Sequence, residues 1–204
     1  MQKHIIAISG GGFSKEENAF IDHYLLTIKR VERPLSIAFI PTASNDAIGY
    51  IEKFHTAFQN ETTSHLLIED LSSSNISEIV KQLDIIYIGG GNTQYMLDVW
   101  RKTGFDRVIK DAYHHGVILA GISAGAMCLF EQCYSEKIDG TYEQFNGLGI
   151  LKGSFCPHYN DPIRKQLYDT WRENKQDYPH YPLTDFENLH FRNEKLVAKI
   201  HTSS

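Results

Sequence analysis

"VILAGISAGAMCLF", residues 117–130, runs apolar, breaks at a serine between two glycines, and resumes as a helix-forming stretch. Gly121, Ser123 and Gly125 form G-x-S-x-G. An apolar strand running straight into a glycine turn and then a helix is the setting of a nucleophile elbow, where the apical serine projects from the edge of a sheet. Glycines flank such a serine because the strand and helix backbones approach closely and side chains there would collide. The start of the following helix offers backbone N–H groups to a developing negative charge. A small residue at a tight turn, or a serine N-cap, would leave the same three letters. What Ser123 does therefore depends on what the fold brings beside it.

Upstream, strand-like and helix-like stretches alternate. Apolar runs at "HIIAIS" (4–9), "LSIAFIP" (35–41), "HLLI" (65–68), "DIIYIGG" (84–90) and "VILAG" (117–121) read as buried strands. Between them lie amphipathic stretches at 14–30, 46–60, 75–83, 93–104 and 105–116. The first has a capping box, Ser14 with Glu17, and a stripe of Phe20, Tyr24 and Ile28. This alternation predicts a three-layer, mostly parallel sheet with helices on both faces. Beyond residue 130 the pattern loosens. A strand at "ILKGSFCPHY", a helix at 161–175 opened by Asp161 and Pro162, and a closing hairpin turning at Asn193-Glu194 are expected.

Composition narrows the function. A chain of 204 residues with 42% hydrophobic content is enough for one sizeable core, and a single domain over 1–204 is expected. A formal charge of −5 with no basic stripe argues against nucleic acid. The apolar run in "MQKHIIAIS" is too short for a signal-peptide core or a membrane span, so a cytoplasmic location is expected. Cys128, Cys133 and Cys156 are odd in number and lack C-x-x-C spacing, which suits reduced, buried thiols rather than disulfides or a zinc site. No metal or organic cofactor is implied.

Loops leaving the carboxyl ends of parallel strands gather on one edge, where open α/β sheets bind ligands. Three glycine-rich loops do so: "SGGGFS" (9–14), "GGGNT" (89–93) and "GISAGA" (121–126). A serine nucleophile needs a base, and among ten histidines His158 stands out, following an apolar segment in "FCPHYND". His114-His115 closes a helix, where the helix dipole is explanation enough. The α/β-hydrolase order of serine, acid, histidine is not met, since the C-terminal acids follow His158.

"YIGGGNT", "GISAGA" and "CPHYND", in this order at these separations, resemble the serine peptidase family that contains peptidase E, the aspartyl dipeptidase, with cyanophycinase as a more distant relative. The resemblance implies a flavodoxin-like fold akin to class I glutamine amidotransferases, with serine in place of cysteine at the elbow. It implies Ser123 as nucleophile, His158 as general base, and the N–H groups of Gly91 and Ala124 as the oxyanion hole. "PLTDFENLHF" resembles the family's late acidic position, which favours Asp185 as the third member, with Glu187 and Asp139 as alternatives. Asn92 either touches substrate or caps the following helix. Two departures bear on specificity: Ile122 stands where peptidase E has tryptophan, and the stretch between His158 and the helix at 161 is shorter. A clamp for an acidic substrate side chain needs a cation, and Arg164 is the nearest in sequence, with a solvated helix surface as its other reading.

The expected activity is hydrolysis of small peptides, with dipeptides carrying N-terminal Asp foremost. A serine hydrolase of another amide or ester, or a non-catalytic module binding a small anion or nucleotide, are the alternatives. Monomer and homodimer are both compatible with the sequence.

Overall fold

The computed structural model describes residues 2–15, 20–137, 139–175 and 177–202. Successive residues of the central strands point to opposite faces, and both faces are apolar. In β1 (His4–Ile8), Ile5 and Ala7 enter one core cluster while Ile6 and Ile8 enter the other. The same division holds in β2 (Ser36–Ile40), where Ala38 and Ile40 oppose Ile37 and Phe39. In β4 (Ile85–Ile88), Ile86 and Ile88 oppose Ile85 and Tyr87. Strands buried on both sides read as continuous apolar runs, which is why the sequence marks them plainly. One face is covered by α1 (Phe20–Thr27) and α2 (Ile48–Ala57). The other is covered by α3 (Ile76–Lys81), α4 (Thr93–Thr103) and α5 (Phe105–His114).

With β3 (Thr62–His65), β5 (Ile118–Ile122), β10 (Glu187–Arg192) and β11 (Lys195–His201), these strands form a seven-stranded sheet in the order β11-β10-β1-β5-β4-β2-β3. The pairings from β1 to β3 are parallel; β10 and β11 join antiparallel. The closing hairpin turns at Asn193 and Glu194, both with positive φ, as a two-residue primed turn requires. This is the expected mostly parallel α/β architecture with helices on both faces.

Several expectations are corrected. The third strand lies at Thr62–His65 rather than 65–68, and "HLLI" leads into a 3-10 turn over Ile68–Ser72. As the sheet's end strand it pairs only with β2, so polar residues suffice there. On α1 the buried residues are Ile21 and Leu25, while Phe20 is 58% exposed, so the predicted stripe is displaced by one position. Glu17 of the predicted capping box lies outside the described residues; Ser14 Oγ donates instead to the Gly11 carbonyl at 2.7 Å. The helix after Ser123, α6 (Ala124–Met127), has only four residues. Tertiary packing overrides helix propensity there, because the chain must leave a wholly buried position and enter β6 (Phe130–Glu136).

The loosened pattern beyond residue 130 hides a second sheet. β6, β7 (Tyr142–Asn146), β8 (Leu151–Cys156) and β9 (His180–Pro182) lie in the order β7-β6-β8-β9, with α7 (Pro162–Arg172) after β8. As predicted, Asp161 caps α7 by accepting the Arg164 N–H, and Pro162 occupies its first turn.

Candidate active site

Strand register fixes the site before any side chain is considered. Ala7 lies opposite Gly121 on one side of β5 and Ile88 opposite the same glycine on the other. All three glycine loops therefore emerge together at the carboxyl edge, with the elbow in the middle. β10 is antiparallel to β1, so its beginning lies at that same edge, Asn188 opposite Ile8, and the segment leading into it delivers Asp185. β8 of the second sheet delivers His158 just past its carboxyl end.

Ser123 has φ 53° and ψ −109°, the strained backbone of an elbow apex. The flanking glycines are required by close approach: a Cβ on Gly121 would lie 2.2 Å from the Gly125 carbonyl oxygen, and one on Gly125 2.2 Å from that of Ile88. The Ser123 N–H donates to the Ile8 carbonyl at 2.9 Å, tying the apex to β1. Among the described residues, neither the Ala124 N–H nor the Gly91 N–H has a hydrogen-bond partner. The loop carrying Gly91 is held from both sides. Gly90 N–H donates to Tyr50 OH at 3.2 Å, and Asn92 N–H to the Ala43 carbonyl at 2.8 Å. The buried Trp100 indole pins that Ala43 segment through a 3.1 Å bond to Thr42 Oγ1.

His158 Nε2 lies 2.9 Å from Ser123 Oγ, and its Nδ1 is hydrogen-bonded to Asp185 Oδ1. An ionised carboxylate only accepts, so Nδ1 carries the proton and Nε2 is free to accept from the serine hydroxyl. Burial alone would raise the Asp185 carboxyl, but hydrogen bonds from His158 and Asn160, with Lys15 nearby, hold it below the ordinary carboxylate value. Asn160 binds Asp185 twice, its Nδ2 donating to Oδ2 at 3.1 Å and its Oδ1 accepting the Asp185 N–H at 3.0 Å.

The competing acids go elsewhere. Glu187 accepts from the Thr184 N–H and hydroxyl at 2.8 and 3.0 Å and pairs with Lys199 at 2.6 Å. Asp139 sits in an exposed turn, accepting from Thr141 N and Oγ1 at 3.0 and 2.6 Å. Asn92 caps α4, its Oδ1 accepting the Tyr95 N–H at 2.8 Å. Arg164 is half-buried with its guanidinium 5.8 Å from the Tyr142 ring centroid, and it has no ion-pair partner among the described residues.

Cys128, Cys133 and Cys156 are free and buried, and burial pushes their thiols up, those of Cys133 and Cys156 to about 12. They are poor nucleophiles in that state. Among the described residues there is no group of three or more His, Cys, Asp or Glu able to hold a metal ion, and no helix is long and apolar enough to cross a membrane. A cavity of about 910 Å³ between α1 and α2, lined by Phe13, Asp22, Leu26, Lys53 and Phe58 among others, contains none of Ser123, His158 or Asp185. The sequence reading missed the residues around the acid: Ser9, Lys15 and Asn160. Asn160 was within reach, since it sits in the same "CPHYND" stretch as His158.

The sequence profile of peptidase family S51 matches residues 5–199. The uncharacterized peptidase YgaJ of Bacillus subtilis strain 168 is 40% identical over 206 residues, covering 99% of this chain and 89% of its own. Peptidase E of Nostoc sp. strain PCC 7120 is 25% identical over 167 residues, covering 80% and 68%. In fold, the chain is similar to a Listeria monocytogenes EGD-e protein described as a peptidase E, with TM-score 0.74, 21% identity and full coverage of both chains. A peptidase from an acI-B1 actinobacterium gives TM-score 0.70 at 20% identity, covering 100% of this chain and 89% of its own. With its elbow at the meeting point of three loops and a family match over nearly its whole length, the chain belongs to peptidase family S51 and is a hydrolase.

Proposed function

We propose that the chain is a serine peptidase acting on small peptides through Ser123, His158 and Asp185. The observation that carries this reading is the continuous hydrogen-bonded chain from Ser123 Oγ through His158 to Asp185, with the serine on a strained apex. His158 Nε2 takes the Ser123 proton as Oγ attacks the scissile carbonyl. The oxyanion that forms lies against the N–H groups of Gly91 and Ala124, and the unengaged state of both donors supports that role. The proton then passes from His158 to the departing amine, leaving an acyl-enzyme that water hydrolyses by the same steps in reverse. Asp185 holds the imidazole in the required tautomer and stabilises its protonated form.

In the finer reading, the substrates are dipeptides with N-terminal Asp, hydrolysed in the cytoplasm by a single domain spanning residues 1–204. Arg164 receives the acidic side chain and the Asn92 amide touches the substrate backbone. A half-buried arginine without an ion-pair partner among the described residues supports this assignment. An ester or other amide substrate would leave the catalytic apparatus unchanged, so substrate choice has its own test.

A fluorophosphonate probe should label the wild type and spare Ser123→Ala, since only an activated serine reacts. A dipeptide panel should then show Asp-Leu cleaved in preference to Ala-Leu. Arg164→Ala should reduce that preference by roughly 10²–10³-fold if the arginine is the only partner of an enclosed carboxylate. A preference changed by less than about fivefold, the exposed-pair range, returns Arg164 to the helix surface.

A further inference from the structure

The loop "SGGGFS" at 9–14 emerges beside the elbow and carries none of Ser123, His158, Asp185 or the two oxyanion donors. We infer that this loop positions the His158–Asp185 pair, with Ser9 and Gly10 as its positioning residues, an inference that rests on the catalytic reading above.

Ser9 is fully buried at the end of β1. Its hydroxyl donates to the Leu183 carbonyl at 2.9 Å and accepts the His158 N–H at 3.0 Å. One side chain thus ties the central sheet to the loop holding the base and to the segment leading to the acid. His158 needs such a tie, because its φ of 55° is one that a non-glycine residue keeps only when its surroundings impose it. The Tyr159 N–H donates to the same Leu183 carbonyl at 2.9 Å, so both residues of the base loop converge on one acceptor region.

Gly10 acts on the acid through what it lacks. A Cβ there would lie 2.3 Å from Asp185 Oδ1, the oxygen that holds His158, and 2.8 Å from Cγ. The carboxylate occupies the space a side chain would fill. At the far end of the loop, Lys15 Nζ approaches Asp185 Oδ2 at 3.8 Å. The three contacts divide the work: Ser9 fixes the base backbone, Gly10 leaves room for the acid, and Lys15 supplies a distant positive charge.

Gly10→Ala tests this directly. The added methyl meets the end of a side chain rather than backbone, so the carboxylate can swing away while the fold survives. We expect kcat to fall by about 10³–10⁴-fold, the scale of losing the orienting acid, with KM little changed and thermal unfolding near that of the wild type. In an Asp185→Ala background the same substitution should reduce kcat by no more than about twofold, because the group it displaces is already gone. Independent, multiplying losses would overturn the inference. A substrate-free readout is the far-downfield proton NMR signal of the His158 Nδ1–H, expected in the wild type and lost in Gly10→Ala. Ser9→Ala, which introduces no clash, should weaken that signal and lower kcat by about 10–100-fold, consistent with loss of a buried hydrogen-bond partner. An unchanged signal in both variants overturns the inference. If the signal responds as expected in a protein that neither labels with fluorophosphonate nor cleaves peptides, the positioning role stands and the peptidase reading falls.

Discussion

Ser123 and the hydrogen-bonded His158–Asp185 pair are held in place by different means. Ser123 is fixed by main chain: a strained apex, glycines pressed against the Gly125 and Ile88 carbonyls, and its own N–H on Ile8. His158 and Asp185 are fixed largely by side chains: Ser9 and Lys15 from near the start of the sequence, and Asn160 from beside His158. A main-chain device is local and tolerates almost no substitution at its glycines. A side-chain device is spread over the sequence and can lose one member while the fold persists. The contrast predicts different failures on the two sides of the site.

The largest effect should fall equally on both sides. Ser123→Ala and His158→Ala should each lower kcat by roughly 10⁶-fold, since the two act as one unit in a proton-coupled attack, and the double variant should be little worse. Steady-state kinetics on folded protein checks this. A Ser123→Ala protein with near-normal turnover would break the comparison at its root.

Next comes the acid. Asp185→Asn should lower kcat by about 10⁴-fold by stabilising the wrong imidazole tautomer, while Glu187→Gln and Asp139→Asn stay within a few-fold of wild type. Glu187 is occupied with Thr184 and Lys199, and Asp139 with Thr141. Strong loss in Asp139→Asn alone would mean that the acid acts from a different side of the site.

The same division explains what was legible in the sequence. The elbow and four of the five parallel strands announce themselves because their causes are local: apolar runs buried on both faces, and glycines where backbones touch; β3 is polar and mostly exposed, and the apolar run expected as that strand lies just beyond it. The second sheet gave no such signal, because β6 loses its alternation at the irregularity between Phe130 and Gln132 and β7 has no fully buried residue, patterns that also suit a surface loop. The four-residue α6 was misread because good helix formers follow Ser123, and only the packing of Phe130 against Phe155 and Phe191 shows why the chain turns to strand. At the site, His158 was legible from its motif and Asp185 only by resemblance. Ser9 was invisible, since a serine 149 positions from the histidine it supports carries no local signal.

Stability should separate the two sides next. Gly125→Ala places a Cβ 2.2 Å from the Ile88 carbonyl oxygen, a main-chain atom that cannot move without disturbing β4. We expect a loss on the order of 3 kcal/mol or more in urea unfolding, within the range of strained or overpacked core positions. Gly10→Ala should cost less than about 1 kcal/mol, because its clash is relieved by a side chain. Comparable losses in the two variants would erase the distinction between main-chain and side-chain support.

The last effect depends on pH and concerns two carboxyls that lie against the first glycine loop, Asp185 at Gly10 and Asp22 at Gly12. Asp185 has both oxygens engaged and is held below its ordinary value. Asp22 is buried, accepts from Tyr87 OH at 3.0 Å, and leaves Oδ2 without a partner among the described residues. Burial, outweighing the hydrogen bonds from Tyr87 and Phe13, raises its carboxyl to about 7. The unfolded chain loses this proton near its ordinary value of 3.8, whereas the folded chain keeps it to about 7. Across that window the unfolded state binds fewer protons, so this group makes stability fall as pH rises, by up to about 4 kcal/mol at the far end. His190, lowered to about 4 by burial and by His4 and Arg192, works in the opposite sense, adding stability as pH rises from about 4 to 6.5. Asp22→Asn cannot ionise at that position and leaves His190 in place, so the difference between variant and wild type isolates the aspartate. Urea unfolding from pH 4 to pH 8 should show the variant gaining several kcal/mol on the wild type as pH rises, whatever its starting offset. Parallel stability curves would mean that Asp22 ionises in the folded protein much as Asp185 does, and that the loop does not separate a neutral carboxyl from a charged one.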